Sequence, residues 1–186
     1  VLFYIMIAFS QIYAKSAPTV SEAGYAMGLG FSPQIFTALL MFSAVSLAIT
    51  ITISGKYIDK VGRRIWLIWT TVGVALFGLV VPYFLENGTT VSLFWFLIIG
   101  MGLIGMGYGP LSSFLPELFP THVRYTGASL TYNIAGLFGA SVAAIIALPL
   151  NANYGLKGVG IYLTLNAVLS LIGLWFITET RDRQLL

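Results

Sequence analysis

Long apolar runs separated by short polar breaks organise this chain. A helix crosses about 30 Å of hydrocarbon with about 20 apolar residues, because each residue adds about 1.5 Å. Such runs fall at 34–54, 65–85, 92–115, 124–150 and 158–178, and a shorter one fills 1–14. Ser16, Pro18, Ser21, Glu22, Gly24, Gly28 and Gly30 give the stretch after Lys15 the turn formers of a loop, part of which could be a short interfacial helix. Ser32-Pro33 then places a capping hydroxyl and a first-turn proline ahead of the second helix. The pattern predicts an all-α, polytopic membrane protein forming one transmembrane domain over 1–186.

Composition agrees with the pattern. The 186 residues are 58% hydrophobic and 8% charged, with a mean hydropathy of +0.93, more apolar surface than one soluble core can hide. A lipid bilayer is the expected partner. The net charge of +3 is small and the basic residues form no groove with interleaved aromatics, which argues against nucleic acid. With no cysteine there is no disulfide framework, thiol nucleophile or thiolate metal site. Val1 opens inside an apolar run without a charged leader, so the chain reads as a fragment and not as a signal peptide.

Basic residues sort by membrane side. Lys56, Lys60, Arg63, Arg64, Arg124, Arg181 and Arg183 fall on one side, against Lys15 and Lys157 on the other. Cytoplasmic loops retain Lys and Arg, so the loop near 55–64, the 116–123 loop and the C-terminus are expected in the cytoplasm. Trp66 and Trp69 suit either interface anchoring or ordinary helix packing. Gly100, Gly102, Gly105, Gly107 and Gly109 crowd the fourth run, and Gly136, Ala140 and Ala144 recur every four residues in the fifth, where backbones can approach. Gly100 to Gly105 also fits a dinucleotide-binding spacing, but no strand or βαβ unit accompanies it. Asn87-Gly88-Thr89 fits a glycosylation sequon in a loop so short that the match reads as chance.

Two charged segments carry a family resemblance. Gly55-Lys-Tyr-Ile-Asp59-Lys60-Val-Gly62-Arg63-Arg64 resembles the cytoplasmic loop signature of the major facilitator superfamily. Pro116-Glu117-Leu-Phe-Pro120-Thr-His-Val-Arg124-Tyr-Thr126-Gly127-Ala-Ser129 is similar to the loop between the tenth and eleventh helices of that superfamily's metabolite:proton symporters. Thr178-Glu179-Thr180 keeps only part of the sugar porters' P-E-T, which weakens a sugar reading, and this chain has no proline after Gly136 until Pro149. The resemblance implies the C-terminal six-helix bundle of a twelve-helix transporter with its first helix truncated, partnered by an N-terminal half. It also implies secondary active transport of a small polar metabolite, an organic acid or compatible solute, by proton symport across a plasma or bacterial inner membrane. A facilitator, sugar porter or exporter of the same fold is the first alternative, and a non-transporting receptor or scaffold the second. Asp59 and Arg63 would belong to a cytoplasmic gate with Lys60 and Arg64, partnered by Glu117, Arg124 and Glu179, while Gly55 and Gly62 keep the turn short. Solvated loop charges are the plain alternative.

Polar residues within the runs mark a possible substrate cavity. Ser43, Ser46, Thr50 and Ser54 line one helical face; such a stripe either lines water or bonds a neighbouring helix. Tyr108 with Ser112, Ser129 with Tyr132 and Asn133, and Tyr4 with Gln11 form similar patches. Gln11 and Asn133 stand out, because a buried amide needs specific partners, whereas Asn166 sits in a helix expected to be peripheral. No Asp, Glu, Lys or Arg falls near the centre of any run, so a titrating proton site is expected in the N-terminal half. His122 sits in a loop. No metal motif or nucleophile with a nearby base is present, so neither an enzyme nor a cofactor is expected.

Overall fold

The computed structural model describes residues 1–177, without the side chains of Asp59, Ala140 and Ala144. Helices dominate, and the β structure among the described residues is one isolated bridge, Val20 to Ala26, inside the first loop. Hydrocarbon offers no hydrogen bonds, so apolar runs satisfy their backbone internally as helices. Helix α1 is Leu2–Lys15, with a π turn at Ile5–Phe9. It is followed by α2 (Pro33–Val61), α3 (Arg63–Glu86) and α4 (Thr90–Glu117). Among the described residues, Pro33–Ile58, Arg63–Glu86, Thr90–Glu117 and Ile145–Phe176 are long and apolar enough to cross a membrane.

The last of these stretches contains a reversal. Gly155 has φ 68° and ψ −172°, and a Cβ on Gly158 would stand 2.8 Å from Tyr154 Cβ and 3.2 Å from the Leu150 carbonyl. Residues eight apart in a straight helix are separated by about 12 Å, so the chain folds back at Gly155. Helix α5 therefore covers 124–154, with a π turn at Leu137–Ser141, and α6 covers 156–176.

Local chemistry sets the helix ends. Ser32 accepts from the Ile35 amide with Pro33 next in line, and Thr89 accepts from the Ser92 amide. Between α2 and α3 stands the single residue Gly62, at φ 101°. This corrects the reading of 55–64 as a turn, since nothing from Ser54 to Val61 interrupts the helix and only Gly62 supplies the positive φ. Gly55 lies inside α2 with nothing within 4 Å of where its Cβ would be, so it neither shortens a turn nor seats a neighbouring helix.

The inner face of α1 (Ile5, Met6, Phe9, Tyr13) packs with Phe77 and Val81 of α3, Phe96 and Leu97 of α4, and Val159 and Leu163 of α6. Around this core two seams bring backbones into contact. Between α2 and α4, a Cβ on Gly105 would collide with Thr50 Oγ1 and stand 2.6 Å from the Leu47 carbonyl, and one on Gly109 would collide with Ser54 Oγ. Between α3 and α6, a Cβ on Gly78 would stand 2.8 Å from the Gly160 carbonyl, and Thr164 Oγ1 donates to the Ala75 carbonyl at 3.0 Å. The first loop is pinned across the far end of α5, where Ser21 donates to the Ala152 carbonyl (2.7 Å) and Asn151 to the Ala26 carbonyl (2.9 Å).

Candidate functional site

Two regions hold the residues singled out by sequence: a charged cluster where α2, α3, α4 and α6 end, here termed the motif end, and a polar cleft between α1, α4 and α5.

At the motif end, Arg63 forms an ion pair with Glu117, joining the start of α3 to the end of α4. Each charge stands at the unfavourable end of its own helix dipole and beside the favourable end of the other's, so the pair is stable across helices and poorly placed within either. Both side chains are mostly shielded, 18% and 15% exposed, which strengthens their attraction beyond that of a surface pair. Arg64 has a different task. Its Nε donates to the Leu174 carbonyl at 2.9 Å and its Nη2 to the Trp175 carbonyl at 2.8 Å, capping the last turn of α6. Arg124 turns onto its own loop, with Nε donating to the Phe119 carbonyl (3.5 Å) and Nη2 to Thr121 Oγ1 (3.4 Å). Of the partners that the resemblance names for Arg63, Glu117 forms the ion pair, while the 118–123 turn directs Arg124 back toward Phe119. Lys56 and Lys60 both lie over the Tyr57 ring at 5.9 Å. His122 is exposed in the loop, and Glu179 and Arg181 lie outside the described residues. Trp66 donates through its indole N–H to the Met106 carbonyl at 3.0 Å, tying α3 to α4, while Trp69 is exposed.

The hydroxyl stripe of α2 is no cavity wall. Ser43 and Ser54 are fully buried, Ser43 donates to the Leu40 carbonyl (2.7 Å), Thr50 to the Ser46 carbonyl (2.8 Å), and Ser46 crosses to the Ile98 carbonyl of α4 at 3.0 Å. Placing Ser43 in a substrate cavity is corrected by its complete burial, while Ser46 and Thr50 are half-buried against the bare backbone of the α4 glycines.

The polar residues of α1, α4 and α5 are open instead. Helix α5 buries no residue from Arg124 to Gly136. Ser129, Tyr132 and Asn133 project from this stretch, with Asn133 Nδ2 donating to the Ser129 carbonyl at 2.8 Å. Tyr108 and Ser112 of α4 and Tyr4 and Gln11 of α1 are exposed as well, and Ser112 donates to the Gly109 carbonyl at 2.9 Å. Tyr108 and Tyr132 line the same cavity, and Phe3 packs on Tyr108 with ring centroids 6.2 Å apart. These rings rim a cavity of about 560 Å³ whose described wall holds no Asp, Glu, Lys or Arg. Val1 forms part of that wall. No group of His, Cys, Asp or Glu among the described residues could hold a metal ion. Sequence reasoning missed the Gly78–Gly160 seam, the Arg64 cap and the Asn151 clasp; small residues in step on α3 and α6 were the one available signal.

The pattern of the family described as "Sugar (and other) transporter" matches residues 25–186. The chain belongs to this family of the major facilitator superfamily. This chain is 89% identical, over 185 residues, to a Haemophilus influenzae protein named for metabolite transport, covering 100% of the chain and 41% of that protein. It is 40% identical to the inner membrane metabolite transport protein YhjE of Escherichia coli, over 99% of the chain and 40% of that protein. It is 30% identical to the proline/betaine transporter of Salmonella typhimurium, over 72% of the chain and 27% of that protein. The chain thus spans about two fifths or less of the length of these curated relatives. No solved structure matches it significantly. The family is one of membrane-embedded transporters.

Proposed function

We propose that this chain is the C-terminal six-helix half of a twelve-helix carrier that moves a small polar metabolite, an organic acid or compatible solute, by proton symport with alternating access. The observation that carries the reading is the exposure of polar residues on α1, α4 and α5. Gln11, Tyr108, Ser112, Tyr132 and Asn133 lie within apolar helices yet are open, and amides and hydroxyls at that depth cannot face lipid cheaply. They face a watered pathway completed by the N-terminal half. The names of the relatives, metabolite transport and proline/betaine transport, support the substrate class.

The motif end faces the cytoplasm of a bacterial inner or plasma membrane, in keeping with the excess of Lys and Arg there. Gly55, Asp59, Lys60, Gly62, Arg63, Arg64, Glu117, Arg124 and Glu179 make up this end of the gate. The open flank at Gly55 is presented to the N-terminal half, and the charges latch the outward-facing state. The titrating proton site lies in the N-terminal half, since no Asp, Glu, His, Lys or Arg among the described residues lines the cavity here. That same absence favours facilitated diffusion as the second reading. Proteoliposomes holding the full-length protein test both: uptake driven by an inward proton gradient and abolished by a protonophore is the expected result. Gradient-independent equilibration would establish a facilitator, and no movement of any solute would remove the transport reading.

A further inference from the structure

The segment joining α1 to α2, residues 16–32, is held twice over. Within itself, the Met27 amide donates to the Thr19 carbonyl (2.9 Å) and the Ser21 amide to the Tyr25 carbonyl (2.8 Å). The Leu29 and Phe31 amides then return to the Tyr13 and Ala14 carbonyls at the end of α1, at 3.1 and 2.8 Å. Gly28 lies so close to that end that a Cβ on it would collide with the Ser16 carbonyl. A slack connection absorbs a displacement, whereas one sewn to its helix passes it on.

The other side of the segment is fastened to the α5–α6 hairpin. Ser21 Oγ donates to the Ala152 carbonyl (2.7 Å) and Asn151 Nδ2 to the Ala26 carbonyl (2.9 Å). The Tyr25 ring rests on the joint itself, since a Cβ on Gly155 would stand 2.6 Å from Tyr25 Cδ1. Asn151 is fully buried, and its Oδ1 has no hydrogen-bond partner among the described residues. An apolar side chain would avoid that cost, so packing alone does not account for an amide here. Its bond to the segment does. All these contacts are made within this stretch of chain, at the end opposite the motif end, and none involves the wall of the 560 Å³ cavity.

We propose that residues 16–32 form a strap that stays fastened throughout the transport cycle and makes the far ends of α1 and of the α5–α6 hairpin one moving body. Helix α1 then cannot swing at that end without carrying α5 and α6 with it. This coupling rests on the alternating-access reading above and names the elements that travel together.

Spin labels on the full-length protein in lipid nanodiscs test it, with any cysteine of the N-terminal half replaced by serine. Glu22→Cys in the strap and Ile161→Cys on α6 are both exposed and make none of the strap's bonds. Double electron–electron resonance should give this pair one narrow distance that shifts by less than about 2 Å between acid and alkaline pH, while a pair spanning the two halves changes its populations. Ser21→Ala with Asn151→Ala should add a population longer by at least about 5 Å, the scale of one helical turn. Two populations in the protein with its strap intact would show that the strap opens, and a double variant as narrow as the parent would show that it ties nothing. Either result overturns the proposal and leaves the carrier reading standing. A spanning pair fixed at one distance under every condition would instead remove alternating access. Should the double variant fail to reconstitute, Ser21→Ala alone, which deletes one half-buried hydroxyl, carries the same comparison.

Discussion

The hydroxyl stripe of α2 and the polar stripe of α5 look alike as sequence and meet opposite fates. Ser43, Ser46, Thr50 and Ser54 recur at helical spacing, as do Ser129, Tyr132 and Asn133. In the first set Ser43 and Ser54 are buried and Ser46 and Thr50 half-buried, while the second buries nothing. What separates them is the facing helix. Gly102, Gly105 and Gly109 strip side chains from α4 where α2 approaches, so its hydroxyls are pressed on bare backbone. No glycine track faces the α5 stripe, and Gly136, on α5 itself, has nothing within 4 Å of where a Cβ would stand. Polarity within a membrane helix therefore reports a pathway only after the partner's small residues are known.

The sharpest way to break the contrast is to fill the seam. Gly105→Leu would drive a side chain into Thr50 and the Leu47–Ile51 backbone, which cannot yield as a flexible side chain can. It should abolish the monodisperse peak in fluorescence-detected size-exclusion chromatography, whereas Gly173→Leu, with open space around it, should leave the peak intact.

Next in size is the ion pair. Glu117→Gln removes the carboxylate that Arg63 faces on α4, a loss of roughly 1–3 kcal/mol at this partial exposure. Uptake should fall about tenfold and the unfolding midpoint should drop. Exchanging the two, Arg63→Glu with Glu117→Arg, puts each charge at the favourable end of its own helix and should recover the midpoint. A double variant no more stable than Glu117→Gln would show that the pairing is incidental.

Thiol chemistry reads the contrast directly, since the chain has no cysteine of its own. Asn133→Cys should react with a hydrophilic thiol reagent about ten times faster than Ser43→Cys, because only an exposed thiolate is available. Comparable rates would place the two stripes in the same environment. The smallest effect belongs to Ser46→Ala, which removes one interhelical hydrogen bond, worth about 0.6 kcal/mol in a membrane bundle. A larger drop in the unfolding midpoint than in the Glu117→Gln protein would reverse the ranking.

The all-helical membrane class was legible because apolar runs near bilayer length leave few alternatives. The motif was less so. Gly55 and Gly62 look equivalent in sequence, yet only Gly62 takes positive φ, and helix α2 runs straight through Gly55. Glu117 ends α4 and Arg124 begins α5, yet the partner of Glu117 stands 54 positions earlier at Arg63 on another helix, a pairing that spacing alone cannot reveal. Arg64 adjoins Arg63 and faces a different helix end altogether.

Gly62 and Gly155 each join two helices through one residue, at opposite ends of the bundle. A joint that short gives the insertion machinery no connecting loop to thread, so α2 with α3, and α5 with α6, must enter the bilayer as paired hairpins. Biogenesis is thereby coupled to two backbone angles: a side chain that resists positive φ at either glycine would first be felt in the nascent protein, before any solute is met.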